Sequence, residues 1–258
     1  MGCGAAGYLS PSIDCPRRLA GHELNGWECM ATTTTRTTTP LARKADTAYE
    51  ELKRNIVTLQ IQPGEPLTVP QLMERFQMGR TPLREAIQRL VRERLAIEIP
   101  RRGCYVTELS VLRLNEMIMA REVIEPANAR IAARWITADE IAQLRSIIDE
   151  GTKTVGDDLE TGMYIDLEFH RELARTSRNR YLAETVHDIN TSMLRYWYIS
   201  MRAFDRDLPH IFQNHHRIVD LLELHDGPAV EEAMHQHIDV FRQRIQQSIG
   251  TDAEATFG

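Results

Sequence analysis

Residues 79–90 read GRTPLREAIQRL. Leu83, Ile87 and Leu90 recur at helical spacing and make one apolar stripe, while Arg80, Arg84 and Arg89 stand beside it. Thr81 and Pro82 belong at a helix N-terminus, since proline lacks the N–H that has no partner in the first turn anyway. A helix that opens Arg-Thr-Pro therefore buries one side and presents its basic leading end to water or to a polyanion.

The flanking segments decide between those two. Upstream, ADTAYEELKRNIVTLQ places Ala48, Leu52, Ile56 and Leu59 at helical spacing, so a helix starts near Ala45 and stops before the Pro63-Gly64 turn. A second short helix starts at Thr68 or Val69, with Pro70 in its first turn and Leu72, Met73 and Phe76 inward. QMG then forms a tight break before Arg80. Downstream, AIEIP, the basic turn RRG and CYVTEL carry the β-formers Ile97, Ile99, Tyr105 and Val106 around a glycine, the pattern of a hairpin. Three helices with a tight turn between the second and third, then a hairpin, describe a winged helix-turn-helix. In that arrangement the first turns of the third helix enter the major groove, where arginine pairs with guanine O6 and N7. Arg80, Thr81 and Arg84 are the candidate contacts on the helix, Thr81 toward phosphate. Arg101, Arg102 and Gly103 form the wing tip. A merely solvated basic face explains the charges but not the order of the elements.

Of the 258 residues, 42% are apolar and 26% charged, the balance of a soluble chain with a packed core. No apolar run approaches membrane-spanning length, and the first 40 residues lack the basic-then-apolar design of a secretory signal, so a cytoplasmic protein is expected. Cys3, Cys15, Cys29 and Cys104 form no CxxC pair, which argues against a zinc ribbon or a disulfide scaffold. Net charge is −6, unevenly spread: residues 41–110 carry 12 Lys+Arg against 9 Asp+Glu, and residues 111–258 carry 16 against 25. Only the front half suits a polyanion. The polar run ATTTTRTTTP closes a low-complexity N-terminal segment, residues 1–40, that reads as disordered. The expected organisation continues with a winged helix-turn-helix at 41–108, an all-helical domain at 109–250 and a tail at 251–258.

Beyond Thr107 every segment shows a 3.6-residue period, predicting six or seven antiparallel helices in a bundle. Thr137 and Asp157-Asp158 read as helix starts, Gly151 and Gly227 as stops. Polar residues fall on the apolar stripes. Asp166 and His170 share a face with Met163 and Leu173. His215 aligns with Ile211, Ile218 and Leu222, and His237 with Val230, Met234 and Phe241. Buried polar groups need partners. A carboxylate and three histidines facing inward from separate helices fit either a divalent metal or satisfied core histidines. His216 and His235 fall on other faces and read as solvated.

Residues 61–106 resemble, almost throughout, the DNA-binding domain of the GntR superfamily of bacterial transcriptional regulators, with RTPLREAI carrying its Arg-Thr-Pro signature. The resemblance implies DNA contacts at Arg80, Thr81, Arg84 and Gly103. Two positions depart from the pattern: Gly79 stands where serine or threonine is common, and Pro70 where some members use a contacting arginine. The helical half resembles the FCD effector-binding domain of FadR-type members. That implies a divalent metal (zinc, with nickel or manganese also suited) on Asp166 and His170 of DLEFH and on His215 and His237. It also implies a small carboxylate effector, for which Arg121 and Arg195 are candidate partners. The reading is a homodimeric regulator on a double-stranded operator, its affinity set by the effector, with no membrane partner and no enzymatic activity. A metalloenzyme on the bundle and an effector-independent DNA-binding protein are the alternatives. No paired Glu-x-x-His sets or general base support the first, and the second leaves the inward polar cluster unexplained.

Overall fold

The computed structural model describes residues 40–154, 158–203 and 209–256. The low-complexity segment expected over 1–40 thus lies outside them, except for Pro40, the first residue of α1. The front half is α1 (Pro40–Val57), α2 (Val69–Phe76), α3 (Arg80–Arg92), β1 (Ala96–Ile99) and β2 (Gly103–Val106). Leu52, Ile56, Leu83, Leu90 and Leu95 close its core with no solvent exposure. α1 ends two residues before Leu59, which takes a left-handed φ of 58° and leaves the expected stripe; Val57 and Ile61 are buried instead. β1 and β2 pair antiparallel with Ala96 opposite Val106 and Ile99 opposite Gly103. The loop before α2 joins the other edge of β2: the Leu67 N–H donates to the Cys104 carbonyl at 2.8 Å, and the Val106 N–H to that of Glu65 at 2.9 Å.

The second half is α4 (Val111–Ala132), α5 (Ala138–Thr154), α6 (Leu159–Thr176), α7 (Arg180–Ala203), α8 (Pro209–Glu223) and α9 (Gly227–Thr256). α9 runs on into the segment expected as a tail. Starts are capped as their residue types predict. The Ser110 side chain accepts the Arg113 N–H, and Asp158 accepts those of Glu160 and Thr161. Thr137 and Glu140 satisfy each other's N–H groups as a capping box. The two expected glycine stops are corrected. Gly151 lies inside α5, where a Cβ would come within 2.3 Å of the Phe212 ring; it is a packing glycine that lets α8 approach. Gly227 begins α9 and packs against Arg130 of α4. Neither needs the left-handed conformation that makes glycine a helix stop.

α4 packs on α9 and α7, α6 on α5 and α7, and α8 on α5 and α9. Met163, Phe169, Phe212, Ile218 and Ile238 fill the space between them. α7 also touches α1, so one helix borders both halves. Among the described residues no helix is long and apolar enough to cross a membrane.

Candidate functional site

Arg80 is the first residue of α3, and its predecessor Gly79 supplies no side-chain cap. The first-turn N–H groups therefore point outward without an internal acceptor, at the positive end of the helix dipole. Pro82 and Leu83 are buried, while Arg80, Thr81 and Arg84 are exposed. The wing tip matches: Arg101, Arg102 and Gly103 are exposed, and the turn closes through the Arg102 N–H onto the Ile99 carbonyl at 3.0 Å. Gly103 takes φ +106°, which side-chain-bearing residues rarely adopt. None of these four arginines forms an ion pair among the described residues, whereas Arg75 and Arg89 pair with Glu65 and Asp46. The leading edge thus carries four exposed arginines with no ion pair among the described residues.

In the bundle, α6, α8 and α9 deliver four buried donors to one point. The Nε2 atoms of His170 and His237 are 3.2 Å apart, and those of His215 and His237 3.4 Å. His215 Nε2 lies 3.3 Å from Asp166 Oδ1, and His170 Nε2 lies 3.8 Å from Asp166 Oδ2. Tetrahedral donors held about 2.0–2.1 Å from an ion would be roughly 3.3–3.4 Å apart. Hydrogen bonds between the imidazoles account for only part of the convergence. Asp166 Oδ1 is buried without a hydrogen-bond partner despite its closeness to His215, because the contact is misaligned. The donor set thus fits a divalent cation such as zinc, with lone pairs rather than protons directed inward. His216, by contrast, is half-buried at the edge, 3.9 Å from Asp149, and His235 is exposed.

Protonation favours the same use. Burial, with the neighbouring imidazoles and Arg121 adding to it, holds His215 and His237 well below the ordinary histidine range, so both imidazoles are neutral at pH 7 and able to offer a lone pair. Burial pushes the Asp166 carboxyl up to about 6, against the pull of His170 and Arg121.

A shell behind the cluster comes from α4. Glu125 accepts from His170 Nδ1 at 2.8 Å, from Arg121 Nε at 2.5 Å and from Asn190 Nδ2 at 3.0 Å. Burial alone would raise its pKa, but Arg121 and His170 outweigh that and keep it ionised below the usual carboxylate range. A proton on His170 Nδ1 leaves Nε2 free to face the cluster, the usual carboxylate–histidine–metal arrangement. His215 lacks such a partner at Nδ1 and is oriented by stacking on Phe169, with ring centroids 4.0 Å apart. Glu125 and Asn190 escaped the sequence reading. For Glu125 a signal existed: it lies four residues after Arg121 on the stripe of Leu114, Ile118 and Ala129.

The two candidate effector arginines do not share a site. Arg121 is committed to Glu125, packs over the Phe241 ring and borders a cavity of about 10 Å³ beside Asp166, room for a single water. Arg195 is at the seam between the halves, where its Nη1 donates to the Thr107 carbonyl at the end of the wing. Two more α7 side chains hold that seam. Ser192 donates to the Glu93 carbonyl at 3.0 Å, and the Tyr196 hydroxyl accepts the Ser110 N–H at 3.0 Å. Interleaved with these on the same helix, Asn190, Met193, Leu194 and Trp197 line the small cavity beside Asp166.

Sequence profiles of two families match the chain: "Bacterial regulatory proteins, gntR family" over residues 44–106 and "FCD domain" over 116–240. The HTH-type transcriptional repressor RspR of Escherichia coli (strain K12) is 31% identical over 202 residues, 77% of this chain and 87% of that one. The galactonate operon transcriptional repressor of the same organism is 26% identical, covering 79% and 97%. Among solved structures, E. coli McbR/YncC superposes with a TM-score of 0.69 at 20% identity, over 79% of this chain and 97% of that one, a likeness of fold. The two sequence relatives are transcriptional repressors rather than enzymes. With the winged helix-turn-helix and the helical FCD domain both in place, the chain belongs to the GntR family of bacterial transcriptional regulators.

Proposed function

We propose that the protein is a cytoplasmic, homodimeric repressor whose hold on a double-stranded operator is controlled by a small carboxylate metabolite at a divalent metal centre. Arg80, Thr81 and Arg84 read and position the operator from α3, and Arg101, Arg102 and Gly103 approach it from the wing, with the division between DNA-binding and effector-binding parts near residue 108. The exposed, unpaired state of these arginines supports that assignment. Asp166, His170, His215 and His237 hold the ion, zinc before nickel or manganese. Leu112, Met119 and Val123 on one face of α4, each about two-thirds or more exposed, supply apolar area for the second copy. Repression follows the naming of RspR and the galactonate regulator.

The observation that carries the reading is the convergence of four buried donors behind a helix that also grips the DNA-binding half. When bound, the ion would supply Lewis acidity, and expansion of its coordination beyond the four protein donors would admit a carboxylate. The chain's own residues do the rest. Glu125 orients His170, and Arg121 neutralises Glu125. The cavity beside Asp166 holds about one water, so an acid enters by displacing it and shifting the α7 side chains Met193, Leu194 and Trp197. α7 transmits that shift through Ser192, Arg195 and Tyr196. An effector that binds both arrangements equally would change nothing; control requires preference for one.

Operator binding by fluorescence anisotropy, titrated with small carboxylic acids, tests this. Metal-loaded protein should lose operator affinity with one acid, and His237→Ala, lacking the ion, should not respond. An equal response from His237→Ala sinks the proposal.

A further inference from the structure

A cavity of about 620 Å³ opens at the seam between the winged half and the bundle, far larger than the space beside the metal cluster and within the range of small-molecule sites. Arg94, Thr107 and Glu108 wall it on one side, and α4 and α7 on the other. Its apolar floor is Met117, Ile124 and Ile189. Arg195, 2% exposed, is part of the lining.

Among the described residues the bundle has two buried arginines, with opposite circumstances. Arg121 has the Glu125 carboxylate at 2.5 Å. Arg195 has no carboxylate within 4 Å among the described residues. Its Nη1 is satisfied by the Thr107 carbonyl, and its Nε is buried without a partner. Burial lowers its pKa only to about 10, so the guanidinium is charged at pH 7. Leaving a charge buried and uncompensated is among the costlier arrangements in a protein, and an anion is what relieves it. The acids around the cavity, Glu108, Glu116 and Asp188, are exposed residues. They outnumber the two exposed arginines of the rim, Arg94 and Arg113, so Arg195 is the one buried cation of the lining and a single carboxylate suits it.

We infer that this cavity is a second ligand site, separate from the metal centre, that takes a small amphipathic monocarboxylate. The carboxylate meets Arg195 and the apolar body lies along Met117, Ile124 and Ile189. Because Thr107 and Glu108 belong to the end of the wing, an occupant fixes how the DNA-binding half sits on α7. The inference goes beyond the metal-centre reading and does not depend on it.

The test is calorimetric titration of the metal-loaded full chain with hexanoate, octanoate and benzoate, with hexanamide as the uncharged match. At least one acid should bind, and removing its charge or making Arg195→Gln should weaken binding about tenfold or more, the worth of one charge-assisted pair. Ala120→Phe and, independently, Ile124→Phe fill the cavity without touching Arg195. Either one, if folded by circular dichroism and still metal-loaded, should abolish binding. His237→Ala should retain it, which separates this site from the metal centre. Binding by none of the three acids, binding that survives both filled-cavity variants, or binding lost in His237→Ala but kept in Arg195→Gln would each overturn the inference.

Discussion

Replacing Glu125 by glutamine alters one terminal atom of a buried side chain and removes one charge. In the native arrangement Oε1 accepts from Arg121 Nε and Asn190 Nδ2, and Oε2 accepts from His170 Nδ1 and, at 3.4 Å, from Arg121 Nη2. Every group facing Glu125 is a donor. A glutamine that turns its NH2 toward Arg121 Nε and Asn190 sets donor against donor; turned toward His170 it makes Nδ1 the acceptor and moves the imidazole proton to Nε2, where it faces the cluster. It also leaves Arg121, 4% exposed, without its paired carboxylate. Breaking a buried pair by removing one partner costs about 3–5 kcal/mol. For a chain of this size that corresponds to a fall in Tm of roughly 6–20 °C. The metal should weaken as well, because His170 loses the acceptor that fixes its tautomer; losses of about 10- to 100-fold are typical of such partners. The assay is chelator competition for the ion, below the unfolding transition, beside a thermal melt. Glu122→Gln is the control: it sits on the same helix, paired with the half-exposed Arg242 at 2.9 Å, and should cost under about 1 kcal/mol without affecting the metal. Wild-type metal affinity and Tm in Glu125→Gln would refute the account of this shell.

Three further outcomes are expected. Arg80→Ala should cost about 1–3 kcal/mol of specific operator binding with the fold intact, so wild-type affinity in an anisotropy titration would remove α3 from its docking role. Gly151→Ala should destabilise, although helix propensity alone favours alanine by about 1 kcal/mol. The added Cβ meets Phe212 at 2.3 Å, and overpacking costs about 1–3 kcal/mol; urea titration decides the sign, and Phe212→Leu should recover part of the loss. Metal affinity should fall as pH drops through about 6, because the raised Asp166 carboxyl takes up a proton there. His215 and His237, held low by burial, are already neutral at pH 7, so raising the pH from 7 to 8 should gain nothing from them. Competition titrations from pH 5 to 8 check both arms.

Local chemistry was legible wherever one element carried it. The Arg-Thr-Pro opening, the breaks at Pro63-Gly64 and Gln77–Gly79, the hairpin around Gly103 and the caps at Thr137 and Asp158 each follow from residues within a turn or two of one another. The errors were local readings of residues whose role is tertiary. Gly151 and Gly227 look like helix stops by type, but contacts from α8 and α4 set their purpose. Leu59 fits the period of α1, yet the helix ends before it.

The inward faces of Asp166, His170, His215 and His237 could be assigned from the sequence alone, because a 3.6-residue period states which side of a helix a residue occupies. Periodicity does not state which faces meet. That three imidazoles and a carboxylate converge within 4.8 Å, that Glu125 backs His170, and that Arg121 is paired while Arg195 is not, were decided by tertiary packing. These contacts join residues up to 88 positions apart, as between Arg195 and Thr107. The energy of a buried charge depends on its neighbours in space, and the order of residues along the chain does not name them.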